Sequence, residues 1–262
     1  MKKGVKILLI ILAGLIVLSI VGFALRDQIW YLMNASKPGN AKEYRPENAP
    51  KDPDSPLKGK TILFLGSSVT KGASSLDKSF VEYLEQIDGI TAVKEAASGT
   101  TLVTQNENSY IPRMKKMDTG IHADAFVCQL STNDATQGKP LGTVSDSFDM
   151  ADFDTGTVAG AIEYIIDYAQ ETWHCPVIFY TGTRYDSEAY GQMVDLLMEI
   201  QQKWGIGVID LWNDPEMNAV SAEDYALYMA DGIHPTQAGY LLWWTPKFES
   251  SLIEVLSQAA LK

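Results

Sequence analysis

Two short stretches at opposite ends of the chain carry residue types that could work together: Gly66-Ser67-Ser68, and Asp231-Gly232-Ile233-His234. A serine hydroxyl is a poor nucleophile at neutral pH unless a base takes its proton, and a histidine does this best when an acid holds its Nδ1–H. Ser68 is the candidate nucleophile, His234 the candidate base, and Asp231, three residues earlier on the same turn, the candidate orienting acid. Acyl transfer also needs donors for a developing oxyanion. The backbone N–H groups of Ser68 and Gly99 and the side-chain amide of Asn133 are the candidates.

Each stretch alone has a plainer reading. Asp-Gly before His-Pro is an ordinary turn, Ser98-Gly99-Thr100 an ordinary strand exit, and Asn133-Asp134 an ordinary helix start. Their joint occurrence, in this order, points to chemistry. A phosphate cradle at Gly66–Gly72 is excluded, because it needs Lys-Ser/Thr directly after the second glycine. Here Ala73 follows Gly72, and Lys71 precedes it.

The elements that must position these residues alternate along the chain. Apolar runs at Thr61 to Leu65 and Ala125 to Leu130 read as buried strands, and Ile90 to Ala96, Pro176 to Thr181 and Gly207 to Leu211 as further strands. Between them, helical spacing places Phe80, Leu84 and Ile87 on one face, with Asp77 as N-cap and Gly89 as stop. It also predicts helices around Tyr110 to Met117, over Val158 to Thr172 and over Glu188 to Trp204. A short helix from Ser221 to Tyr228 and a final helix rich in Leu and Trp follow. Such alternation implies βαβ crossovers and a mostly parallel sheet covered on both faces, with ligands beyond the carboxyl ends of the strands. Ser68, Gly99 and Asn133 all fall at those ends. The irregular stretch Thr136 to Thr155 reads equally as a site rim or as a solvated spacer.

Composition narrows the function further. The net charge of -12 argues against nucleic acid as a partner, and 46% hydrophobic residues suffice for a sizeable core. His122, His174 and His234 lack metal-ligand spacing, and no C-x-x-C occurs, so neither a structural nor a catalytic zinc site is expected. Cys128 and Cys175 are expected as buried free thiols, out of register for a disulfide.

Residues 1–6 carry Lys2, Lys3 and Lys6, and residues 7–25 contain Ser19 as their only ordinary polar side chain. A helix of that length is about 28 Å long and spans a bilayer, as a signal anchor with a cytoplasmic N-terminus and an extracellular catalytic domain. A cleavable signal peptide, which would make the protein secreted, is the alternative, with Gly22-Phe23-Ala24 as the small-residue site. Trp30-Tyr31 reads as an interface anchor. Residues 26–59 form a linker whose prolines Pro38, Pro46, Pro50, Pro53 and Pro56 lie among polar residues without apolar period, so it is expected to be extended and poorly ordered. Residues 60–262 are the globular domain.

With those residues assembled, the chain resembles the SGNH hydrolase superfamily, the GDSL-type lipases and esterases. The family's nucleophile block corresponds to Gly66-Ser67-Ser68-Val69, its glycine block to Ser98-Gly99, its third block to Ser131-Thr132-Asn133-Asp134, and its last to Asp231-Gly232-Ile233-His234. Ser67 replaces the usual aspartate and Ser131 the usual glycine, which would put a new side chain near the pocket. The resemblance implies a flavodoxin-like three-layer α/β/α sandwich with a five-stranded parallel sheet, a shallow open site and no cofactor. It implies a serine esterase, extracellular by the N-terminal span, acting on a small-molecule or carbohydrate ester: acetylated carbohydrate, or short acyl or lysolipid esters. An O-acyltransferase moving an acetyl group to a glycan uses the same acyl-enzyme, and a non-catalytic surface binding module is a third reading.

Overall fold

The computed structural model describes residues 29–259. The apolar stretch 7–25, expected to span a bilayer, lies outside the described residues. Among those described, no helix is long and apolar enough to cross a membrane.

Five parallel strands form one sheet in the order β2-β1-β3-β4-β5: β1 Thr61–Gly66, β2 Thr91–Ala96, β3 Ala125–Gln129, β4 Val177–Tyr180 and β5 Gly207–Ile209. Side chains alternate across a strand, and in the inner strands β1, β3 and β4 nearly every position is apolar because both faces are covered, whereas the edge strand β2 is only partly buried and carries Lys94 and Glu95. Leu63 and Leu65 join Phe126, Cys128 and Phe179 on one face, packed with α5 (Val158–Trp173) and α6 (Glu188–Trp204). Ile62 and Phe64 join Val127, Ile178 and Tyr180 on the other, packed with α2 (Phe80–Asp88) and α8 (Thr245–Ala259). There Phe80 stacks on Phe248 with ring centroids 3.8 Å apart. The three-layer sandwich is therefore as expected.

The chain runs outward from β1 to β2, then returns to lay β3 on the opposite side of β1. That reversal leaves a crevice beyond the carboxyl ends of β1 and β3, where open α/β sheets place ligands. Short helices fill the loops around it: α1 Ser68–Lys71 after β1, α3 Tyr110–Met114 before β3, and α4 Thr132–Thr136 after β3. Helix α7, Ala222–Tyr228, precedes the His234 turn.

Several expectations need correction. Helix α2 starts at Phe80 with Ser79 as N-cap, not Asp77, because Ser79 and Glu82 close a reciprocal capping box; Asp77 has a left-handed φ of 59°. The proline-rich segment is not a loose tether. It winds through three 3-10 turns, Pro38–Asn40, Lys42–Tyr44 and Pro46–Asn48, and inserts the buried side chain of Asn40 into the domain. The stretch from Thr136 to Thr155 lies mostly away from the crevice. Its residues Ser145 and Ser147 offer carbonyls to Lys203 Nζ, which also donates to the buried Glu163 at 2.6 Å. Both cysteines are free and buried; Cys128 sits opposite Phe179, four positions beyond Cys175.

Candidate active site

Gly66 closes β1, and no larger residue fits there: a Cβ would stand 1.7 Å from Thr70 Oγ1. The chain turns sharply into α1 under the control of Gln129, the last residue of β3. Its Oε1 accepts from Ser67 N at 2.9 Å, from Thr70 Oγ1 at 2.8 Å and, more distantly, from Thr70 N at 3.2 Å. Tyr180 at the end of β4 donates in turn to Thr70 Oγ1, 2.6 Å away. Donor and acceptor follow from that chain: Thr70 gives its only proton to Gln129, so it must receive the one from Tyr180. Three neighbouring strands thus fix the turn on which Ser68 sits.

Of the two serines, Ser67 is fully buried and its hydroxyl has no partner among the described residues. Ser68 Oγ lies 2.8 Å from His234 Nε2. On the far side of the ring, His234 Nδ1 is 2.9 Å from Asp231 Oδ2 and 3.0 Å from Oδ1. A carboxylate only accepts, so Nδ1 carries the proton and Nε2 presents its lone pair to the Ser68 hydroxyl. Asp231 Oδ1 also accepts from the backbone N–H of Ile233 and of His234, both at 2.8 Å. Partial burial alone would raise the Asp231 carboxyl, but the hydrogen bond and charge of His234, with those two N–H groups, hold it down at about 2. It is ionised throughout the neutral range.

The other candidates meet Ser68 and His234 on one cleft of about 910 Å³, which Gly99 and Asn133 also line. Gly99 has a φ of 78° at the exit of β2, a conformation that favours glycine. Among the described residues its N–H and that of Ser68 have no acceptor, so both remain free for a ligand. Asn133 Nδ2 donates to Thr100 O at 2.9 Å, which fixes the amide beside the Gly99 loop. Ser131 does not reach the cleft as expected: it is fully buried, and its hydroxyl donates to the same Thr100 carbonyl at 3.0 Å.

Two further residues hold this second wall. The buried Arg113 joins β1 to the Gly99 loop, donating through Nη2 to Gly66 O at 2.8 Å and to Thr100 Oγ1 at 3.0 Å. Asp134 accepts from Leu102 N at 2.8 Å and Val103 N at 3.0 Å, tying the following loop to α4. Burial pushes its carboxyl up to about 6, against the pull of those two N–H groups. Among the described residues no group of His, Cys, Asp and Glu is arranged to hold a metal ion.

A model of the GDSL-like lipase/acylhydrolase family matches residues 64–242. The chain belongs to this family. Proteins of known structure share this fold at low identity. A protein from Lactobacillus plantarum is 19% identical, with 77% of this chain and 98% of the other covered at a TM-score of 0.62. A member of the lipolytic G-D-S-L family from Veillonella parvula is 16% identical, with coverage of 76% and 99% and a TM-score of 0.54. A family two carbohydrate esterase from Clostridium thermocellum, solved with cellohexaose, is 15% identical, with coverage of 78% and 66% and a TM-score of 0.54. No curated protein matches the sequence.

Within this GDSL-like domain, Gln129, Thr70 and Arg113 carry no signal in the sequence, because their partners come from neighbouring strands and loops. Trp212 and Trp244 are buried in the core, whereas Trp30 and Met33, from before the family domain, line the cleft. Trp30 Nε1 donates to Ala73 O at 3.2 Å, docking that segment beside α1.

Proposed function

We propose that this chain is a serine esterase. The observation that carries the proposal is the unbroken contact chain from Ser68 Oγ through His234 to Asp231. Ser68 Oγ attacks the ester carbonyl carbon while its proton passes to His234 Nε2. The carbonyl oxygen becomes an oxyanion facing the N–H groups of Ser68 and Gly99 and the Asn133 amide. As the tetrahedral intermediate collapses, the imidazolium gives its proton to the leaving alcohol. Water then repeats the sequence on the acyl-enzyme, with His234 as base, and releases the acid.

Hydrolysis is favoured over transfer to a glycan hydroxyl. The His234 side chain is 23% exposed and that of Asp231 49%, so water has open access to the base; transfer gains from excluding it. The apolar side chains of Trp30 and Met33 along the cleft support an ester with an apolar portion, and the carbohydrate ester remains the alternative substrate. The apolar run at 7–25 behind three lysines supports anchoring to the bilayer with the catalytic domain outside the cell, or secretion if the run is cleaved.

Hydrolysis of nitrophenyl esters of graded chain length by wild type and Ser68→Ala tests the assignment. The variant is expected to lose turnover on every ester, together with labelling by a fluorophosphonate, while its melting temperature is retained. Wild-type-like turnover in the folded variant would overturn the assignment. The order of kcat/KM along the wild-type series reads the acyl preference in the same assay.

A further inference from the structure

Ser68 and His234 are 166 positions apart, and the turns that carry them meet across a residue that belongs to neither. Asn40 is 3% exposed and uses its amide in three directions. One Nδ2 hydrogen goes to Ser74 O at 2.8 Å and the other to Asn34 O at 2.8 Å, while Oδ1 accepts from Gln237 N at 2.8 Å. Ser74 is the third residue after α1 ends at Lys71, and its neighbour Ala73 donates its N–H to Ser68 O at 3.0 Å. Gln237 stands three residues after His234, and its own side chain donates to Ser75 O at 3.0 Å. Thus Asn40 grips the nucleophile turn with its donors and the base turn with its acceptor.

The same segment reaches the other end of the base turn. Lys37 Nζ donates to Ala230 O at 3.1 Å, and Ala230 N donates to His234 O at 2.8 Å. Gly39 lets the segment lie this close: a Cβ there would stand 2.1 Å from Leu227 O and 2.3 Å from Thr236 Oγ1. The contact is therefore a fitted one.

We infer that Asn40 is a positioning residue, which sets the Ser68–His234 contact by pinning the two turns to each other. The inference rests on the esterase reading of Ser68 and His234. It places part of the working site outside residues 64–242, the region that carries the family pattern. Only an amide side chain of this length supplies two donors and an acceptor at one point. Asp would lose both donations and Ala all three contacts.

The test compares Asn40→Ala, Lys37→Met and Ser68→Ala in the full chain on nitrophenyl acetate, with kcat and KM determined per folded molecule. Loosening the pin by a fraction of an ångström to an ångström should lower kcat about 10- to 100-fold in Asn40→Ala with KM little changed. Fluorophosphonate labelling of Ser68 should slow by the same factor. Lys37→Met, which leaves no buried donor orphaned, should lower kcat several-fold without change in melting temperature. A segment that merely adds stability would lower the melting temperature and leave kcat per folded molecule alone. If Ser68→Ala is inactive while both other variants stay within twofold of wild type in kcat, the pin is overturned and the esterase reading stands. Should Asn40→Ala fail to fold, Lys37→Met decides on the same threshold. If Ser68→Ala itself keeps wild-type turnover, the esterase reading falls and the pin with it.

Discussion

Ser68 and His234 touch at 2.8 Å, yet the two sides of that contact are held by opposite means. On the nucleophile side, Ser67, Thr70, Gln129 and Tyr180 are all buried, and their hydrogen bonds run between neighbouring strands of one sheet. On the base side, Asp231 is half exposed, and its partners lie within four residues of it on the same turn. The contrast follows from what each side must do. A nucleophile needs one fixed direction of attack, and a buried hydrogen-bonded network gives it. A base must gain and lose a proton in each cycle, and a half-solvated pair does so without stranding a charge in the core. Defects on the two sides should therefore show up in different measurements.

The largest effect is expected from Asp231→Asn. The amide can still accept from Ile233 and His234 N–H, so the turn should keep its shape. Its NH2, however, favours the His234 tautomer with a bare Nδ1, which turns Nε2–H toward Ser68 and removes the base. Turnover of nitrophenyl acetate should fall by about 10³- to 10⁴-fold, with the melting temperature lowered by no more than a few degrees. A loss under tenfold would mean that the turn orients His234 without the carboxylate, and the contrast between the sides would blur.

Gln129→Leu should give the opposite signature. Leucine fills a similar volume but leaves Ser67 N–H, Thr70 N–H and the Thr70 hydroxyl buried without an acceptor. Orphaned buried donors cost about 1–3 kcal/mol each, and partial relaxation should leave a net loss of about 3 kcal/mol. Urea denaturation reads that loss directly. Its proportion to any fall in kcat of the folded fraction tells whether the network supplies stability, aim or both. An unchanged midpoint with a collapsed kcat would show that the nucleophile turn stays folded without its acceptor.

What the sequence made legible divides along the same line. Buried parallel strands are apolar on both faces, so their runs were readable, and ends slipped by one or two residues where local contacts decide, as at Ile209 and Ser79. Ser68, Gly99, Asn133, Asp231 and His234 each stand at a strand exit or on a turn with its own local pattern; the structure brings four of them onto one cleft and sets Asp231 behind the His234 ring. Gln129 and Arg113 could not be found that way, since their roles depend on β1 lying beside β3, with Leu65 opposite Cys128. Asn40 was hidden for a different reason. The segment around it docks through hydrogen bonds of Lys37 and Asn40 with little apolar burial, and a search for hydrophobic period is blind to such docking. Trp30, read as an interface anchor, lies on the cleft wall for the same reason: its docking bond is polar.

The smallest expected effect concerns the two carboxylates that brace the walls, and it separates them by sign. Asp134 is fully buried and titrates near 6 in the folded protein, above the ordinary value of 3.8. Between those values the folded state binds more protons than the unfolded one, so this group makes stability fall as pH rises from about 4 through 6. Asp231 is held at about 2, below the same ordinary value, so its contribution is present above about 4 and is lost as pH falls through 2. Other acids titrate over the same range, and the difference between wild type and Asp134→Asn isolates the first limb. Wild type should gain stability relative to that variant on going from pH 7 to pH 4, by an amount on the order of 1–3 kcal/mol, read by urea denaturation at each pH. A difference that is flat, or of the opposite sign, would mean that the N–H groups of Leu102 and Val103 outweigh burial. The oxyanion wall would then be braced by a comfortable carboxylate like that of Asp231, and the two sides of the site would differ in exposure alone.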